Sequence, residues 1–261
     1  TQLWDVKSGH YPFGKKQTLE ILYREKEGYQ HADRLIAMSR ACAESYRDDY
    51  QIPASKIKVI RPGANLDENI VRLHLSEPRN NVPRFREFNK NNPFCLGFIG
   101  MEYQRKGLLR LIKIAEILNS EKLPVIVSII GRCPESLLKH PLIRYHGQVD
   151  KSSDQKRFLS ILDSFSVGCL LSYSEPLGIS TLECLRLGIP VLGTNVGGIP
   201  DCIEDDYGLL VETSDSESTM AEKIRDKFFD YSNYRKLCQA AEREMLNVTW
   251  HKVIDNFICH W

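Results

Sequence analysis

Two carboxylates, Glu175 and Glu183, stand eight positions apart in the stretch Ser174-Glu175-Pro176-Leu177-Gly178-Ile179-Ser180-Thr181-Leu182-Glu183. An ionised carboxylate only accepts, and it takes two hydroxyl hydrogen bonds at once, which is the chemistry needed to hold a diol of a ribose or a hexose. The preceding run Val167-Gly168-Cys169-Leu170-Leu171-Ser172 reads as a buried parallel strand, and Ser180 to Leu187 as a helix with Glu183 in its early turns. Glu175 then sits at the carboxyl end of a strand. Open α/β sheets bind ligands in the crevice beyond such ends, where helix N-termini offer N–H groups to phosphate oxygens. Glutamate is also common near helix starts because it favours the helix dipole, so the pair needs support from the rest of the chain.

The elements that must position these residues follow a pattern. From Phe94 onward, short apolar runs alternate with helical periodicity: strands at 94–100, 124–130, 142–146, 167–172, 189–194 and 207–211, and helices at 107–119, 153–165 and 179–187. Such alternation predicts an α/β fold with a parallel, Rossmann-like sheet covered on both faces. Leu108, Leu111, Ile112, Ala115 and Leu118 recur at helical spacing and mark a core face. Helices at about 216–232, 234–246 and 250–259 close the chain, and another is predicted over 16–30. After Gly188 comes Ile189-Pro190-Val191-Leu192-Gly193-Thr194-Asn195-Val196-Gly197-Gly198, an apolar strand and a Gly-Gly turn that lets backbone amides approach a ligand. Clusters of Asn and Pro at 77–83 and 89–93 place an interdomain link at 67–93.

Together these segments resemble the retaining GT-B glycosyltransferases of family 4, whose signature is matched here by Glu175, Leu177, Gly178, Glu183, Gly188, Pro190, Val191, Gly197 and Gly198. Upstream, His31 to Ser39 looks like the last strand of that family's N-terminal domain, and Ile57 to Asn65 like its crossover segment. Leu96-Gly97-Phe98-Ile99-Gly100 with Lys106-Gly107 resembles the strand and phosphate-binding turn that open its nucleotide domain. The resemblance implies a GT-B architecture divided as 1–66, the remainder of the N-terminal (acceptor) domain; 67–93, the linker; 94–246, the nucleotide-sugar domain; and 247–261, a returning helix opened by Trp250. It implies transfer of a hexose, with retention, from a nucleotide-diphosphate sugar to a glycan or lipid-linked acceptor, with UDP or GDP as the favoured carrier and no cofactor or metal.

By the same resemblance, Glu183 holds the ribose and Glu175 the transferred sugar, so the pair is no glycosidase acid/base couple. Lys106 stabilises charge on the departing diphosphate as a compact point charge, aided by the amides of Leu177, Gly178 and Ile179. Gly100, Gly131-Arg132 and Gly147-Gln148-Val149 line the nucleotide through backbone atoms. One position departs from the pattern: Met101 stands where the family has Arg, and a thioether donates no hydrogen bond, so Arg105 is expected to send its guanidinium into the same space.

Composition sets limits. Lys and Arg total 35 against 34 acidic residues, so the net charge of +1 offers no footprint for nucleic acid. No apolar run approaches the roughly 20 residues that cross a bilayer, which leaves only peripheral membrane contact through the missing part of the N-terminal domain. Eight cysteines without a C-x2-C spacing read as thiols of a reducing, cytoplasmic setting. The chain reads as a fragment in which transfer by itself is not expected. The alternatives are a nucleotide-sugar-binding module impaired in transfer, or another GT-B activity such as a nucleotide-sugar epimerase.

Overall fold

The computed structural model of the chain describes residues 14–77 and 88–260. Helix α1 (Lys15–His31) leads into strand β1 (Leu35–Ala37), helix α2 (Arg40–Asp48) and strand β2 (Ile57–Val59). The two strands pair in parallel, with Leu35 opposite Ile57 and Ala37 opposite Val59. Helix α2 starts where it does because Ser39 is extended and its hydroxyl accepts the Cys42 N–H at 3.2 Å.

The polar stretch expected as a link at 67–93 opens instead with helix α3 (Glu68–Ser76). The Asp67 carboxylate caps it, accepting from the N–H groups of Asn69 and Ile70, and Val71 is buried. A capping Asp ahead of Ile70, Val71, Leu73 and Leu75 is a helix signature that overall polarity conceals. The helix is firmly held. The Gln155 side chain exchanges two bonds of 2.9 and 3.0 Å with the Asp67 backbone, and the Arg186 guanidinium donates to the Glu68 carboxylate at 2.7 and 3.0 Å. Residues 78–87 of the expected link, and 1–13 of the expected first domain, lie outside the described residues.

Six parallel strands form the main sheet: β3 (Phe94–Gly100), β4 (Val125–Gly131), β5 (Ile143–Tyr145), β6 (Val167–Leu170), β7 (Val191–Thr194) and β8 (Gly208–Val211). Their order is β5-β4-β3-β6-β7-β8. The chain steps outward from β3 to β5, returns to lay β6 beside β3, and steps outward the other way. The order therefore reverses between β3 and β6, and the carboxyl ends of these two strands flank a crevice.

Period-2 alternation sorts the strand residues onto two cores. Phe94, Leu96 and Phe98 pack under helices α4 (Leu108–Ser120) and α7 (Glu217–Phe228), together with the predicted face of Leu108, Leu111, Ile112, Ala115 and Leu118. Cys95 and Ile130 lie on the other side with Phe158 and Leu162 of α5 (Gln155–Leu162) and Leu182 and Leu185 of α6 (Ile179–Leu185). Helix α8 (Tyr231–Glu244) contributes to both cores, and α9 (Trp250–His260) ends the chain. Elements fall within a few residues of their predicted bounds. The largest differences are at α7, which ends at Phe228 where 232 was expected, at α8, which starts at Tyr231 where 234 was expected, and at α5, which ends at Leu162 where 165 was expected; β6 leaves the ladder after Leu170. The Leu171 carbonyl that follows lies against Gly107 at the start of α4.

Arg186 is buried, so Glu68→Ala strands a guanidinium without its counter-ion. We expect a loss of about 3–5 kcal/mol, read from urea unfolding, and a near-neutral outcome when Glu68→Leu and Arg186→Met are combined.

Candidate functional site

Residues that lie far apart in the chain meet at the crevice between β3 and β6. Gly100 ends β3 directly opposite Gly131 at the end of β4. The stem of Lys106 then crosses Gly100, where an added methyl would fall 2.5 Å from the lysine Cδ. The loop closes at Gly107, which has φ of +75° in the left-handed region and an α-carbon so near the Leu171 carbonyl that a methyl would meet its oxygen at 2.2 Å. Glycine thus brings the loop after β3 against the loop after β6.

Glu175 is the point where the two loops join. Its Oε2 accepts from Lys106 Nζ at 3.1 Å, from Arg105 Nη1 at 3.1 Å and from the Ser172 hydroxyl at 3.4 Å. Arg105 Nη1 also donates to the Ser174 carbonyl at 2.5 Å, and its Nε to Glu102 at 2.7 Å. Arg105, Lys106 and Glu175 are mostly buried, so these charge-assisted bonds act in a low dielectric where they are strong. Met101 is 42% exposed at the end of β3. The Arg105 guanidinium, expected in the space of the arginine that Met101 replaces, is bonded to Glu102, Ser174 and Glu175.

Beyond Glu175 the chain reverses through Pro176 and the buried Leu177 to Gly178, the N-cap of α6, with φ of +102°. Ile179 begins the helix, and the N–H groups of Leu177, Gly178 and Ile179 have no hydrogen-bond acceptor among the described residues. These are the groups a helix start leaves for an anion.

The Gly197-Gly198 turn, expected to bring amides to a ligand, does something else. The Gly198 N–H donates to the Glu175 carbonyl at 3.0 Å, and a methyl on Gly198 would lie 2.1 Å from the Pro176 carbonyl oxygen. Its lack of a side chain serves an approach of chain to chain, and this buttresses the turn that carries Glu175. Ser39, from 137 residues earlier, supports the same turn by donating its hydroxyl hydrogen to the Pro176 carbonyl at 3.0 Å.

Glu183 faces a different cation. Its side chain is 2% exposed and its Oε1 is ion-paired with Lys151, which lies in the loop after β5 and is 33% exposed. Burial pushes the Glu183 carboxyl above its ordinary range, while Lys151 and, less strongly, Lys106 pull it back. The remaining nucleotide-lining candidates are joined through backbone: Gly131 N–H donates to Gly147 at 2.9 Å and Arg132 N–H to Gly100 at 3.0 Å. Val149 stands apart, because its side chain packs against the apolar core of α5 and α6. Among the described residues no group of His, Cys, Asp and Glu is arranged to hold a metal ion, and no cysteine among them is in a disulfide, with Cys95, Cys169, Cys184, Cys202 and Cys238 buried.

Sequence reasoning missed Lys151, Ser172 and Ser39. Lys151 sits in a polar loop with no spacing cue. Ser39 is legible as a helix cap but not as a partner of Pro176, since nothing local links positions so far apart.

Residues 81–244 match the family model described as glycosyl transferases group 1, and residues 3–68 match that of glycosyltransferase family 4. A D-inositol 3-phosphate glycosyltransferase of Salinispora arenicola is 24% identical over 90% of this chain and 55% of its own length. An uncharacterized 41.2 kDa protein of the cps region of Klebsiella pneumoniae is 25% identical over 75% of this chain and 54% of its own length. The chain spans little more than half the length of these two relatives. Among solved structures, Anabaena Alr3699/HepE in complex with UDP and glucose superposes with a TM-score of 0.68 at 17% identity, covering 95% of this chain and 67% of that one. A glycosyltransferase from Rickettsia africae ESF-5 does so with 0.65 at 17% identity, covering 95% and 66%. At these identities the likeness is one of fold, and it bears out the expected α/β architecture of GT-B type.

The raised carboxyl of Glu183 makes stability depend on pH. Its folded state binds the proton more tightly than the unfolded state does, so the stability this contributes at low pH is lost as pH rises from the ordinary carboxylate range through the raised value. Glu183→Gln removes that loss. We expect the Gln variant to gain stability relative to the parent chain as pH is raised from 4 to 7, measured by urea unfolding at each pH.

Proposed function

The chain belongs to the glycosyl transferases of group 1, and from that premise we propose that it carries the donor half of an enzyme moving a hexose, with retention, from a nucleotide-diphosphate sugar to a glycan or lipid-linked acceptor. The observation that carries the proposal is the meeting of Lys106 and Arg105 on Glu175, beside the open amides of Leu177, Gly178 and Ile179, at the reversal point of the sheet.

Breaking the bond between anomeric carbon and diphosphate oxygen leaves charge on the departing nucleotide. In this reading Lys106 and Arg105 are held ready at 3.1 Å from a shared carboxylate and turn toward the diphosphate when it arrives. Arg105 thereby supplies the guanidinium that Met101 does not. The unpaired amides at the start of α6 add donors without reorganisation. Glu175 holds hydroxyls of the transferred sugar, and Glu183 those of the ribose. Gly100, Gly131 and Val149 border the nucleotide through backbone groups. UDP is a reasonable first carrier to test, since Alr3699/HepE is known in complex with UDP-glucose, and GDP is the second.

No helix among the described residues is long and apolar enough to cross a membrane. A cytoplasmic setting fits the five buried cysteines that form no disulfide. The exposed Met101 favours one further reading, a module that binds the nucleotide sugar and transfers poorly.

Titration calorimetry of the chain with UDP, GDP and ADP tests the site. We expect one of the three to bind, and Lys106→Ala or Glu183→Ala to weaken it by about 1.5–3 kcal/mol each, the worth of one hydrogen bond to a charged group. Arg105→Ala is expected to weaken it as well. Unchanged affinity in that variant would remove Arg105 from the diphosphate site. Transfer is tested with the sugar nucleotide that binds and candidate glycan or lipid-linked acceptors, where a donor that binds without turnover supports the module reading.

A further inference from the structure

We propose that Lys151 is a positioning residue for the ribose subsite: its ammonium keeps the buried Glu183 carboxylate ionised and aimed to accept sugar hydroxyls. The inference rests on the reading of Glu183 as the carboxylate that holds the ribose diol.

The argument starts from the unequal burial of the two partners. Glu183 is 2% exposed on α6, whereas Lys151 is 33% exposed and belongs to the loop that follows β5. The anion is fixed within the protein and the cation stands at its edge. The ammonium lies 5.4 Å from the centre of the Phe158 ring, so its approach to α6 is braced by an aromatic face. Only Oε1 of Glu183 is engaged, and Oε2 has no hydrogen-bond partner among the described residues. One carboxylate oxygen is therefore anchored while the other remains free to accept.

A buried carboxylate without a counter-ion takes up a proton, and then one of its oxygens donates where the ribose needs an acceptor. The other charged groups around Glu183 are committed elsewhere. Lys106, on the loop after β3, acts on Glu183 through space but is bonded to Glu175 at 3.1 Å. Arg186, three positions further along the chain, is bonded to Glu68 at 2.7 Å. Lys151 is the cation that contacts Glu183 among the described residues. Its flexible four-carbon stem and partial exposure also let it shift as hydroxyls come in, while its charge stays within range.

The test uses the whole 261-residue chain and whichever of UDP, GDP and ADP binds most tightly. Dissociation constants are measured from pH 6 to pH 9 for the parent chain, Lys151→Met, Lys151→Arg and Glu183→Gln, with thermal melts to verify folding. Each is expressed as a ratio to the parent chain at the same pH, so that titration of the nucleotide cancels. With Lys151→Met, we expect the ratio to be greatest at pH 6, about tenfold for each pH unit by which the carboxyl titrates above the working pH, and to shrink toward one at pH 9. Lys151→Arg restores a ratio near one throughout. If the methionine variant fails to fold, Lys151→Gln takes its place in the same comparison.

A ratio that is independent of pH, or below one, overturns the inference, since the lysine then packs or competes and does not hold the charge. Glu183→Gln separates the two levels. If it binds like the parent chain at every pH, the ribose assignment of Glu183 itself fails. If it weakens binding while Lys151→Met leaves the pH profile unchanged, only the role of Lys151 is lost.

Discussion

The shared oxygen of Glu175 is the contact on which the rest of the crevice depends. Two cations that are neighbours in sequence, Arg105 and Lys106, would repel each other in a buried space, and a carboxylate between them turns that repulsion into a clamp. The clamp spans the loops after β3 and β6, which lie at the reversal of strand order. A second contact reinforces it: the Arg105 carbonyl accepts the Tyr173 N–H at 2.9 Å. Both cations are thus held at fixed positions by the loops themselves.

The turn that carries Glu175 is supported from beyond its own loop. Gly198 lies against Pro176, and Ser39 reaches the Pro176 carbonyl from the end of β1. Around this point Arg40 is ion-paired with Asp201, and Arg61 donates to the Asp201 carbonyl at 3.0 Å and to Glu244 at 3.1 Å. The segment at 39–61 is therefore bound to the main sheet's helices and turns by several directional contacts, and one of them ends on the site. Any displacement of that segment acts on the backbone next to Glu175.

Glu183 shows the opposite use of burial. Its carboxyl is costly to keep ionised where it stands, and a neutral side chain there would serve stability better. Such a cost is commonly found where a group must be desolvated to hold a ligand tightly. The partner that offsets it, Lys151, comes from a loop and not from a regular element.

Local rules made much of this protein readable. The apolar run at 94–100 marked a buried strand, the Leu108-to-Leu118 spacing determined the face of α4, and Gly107 and Gly178 marked where loops hand over to helices. These depend on periods of two and 3.6 and on backbone angles, which neighbouring residues settle among themselves. The pairings that make a site follow another rule. Which cation meets Glu175, that Lys151 and not Lys106 bonds to Glu183, and that Ser39 and Gly198 brace Pro176 are decided by strand order, across sequence separations of 69, 32 and 137 residues for the Lys106–Glu175, Lys151–Glu183 and Ser39–Pro176 pairs. A polar side chain has no periodicity to reveal its partner, so only the folded sheet, by laying β6 beside β3, selects among the charges available.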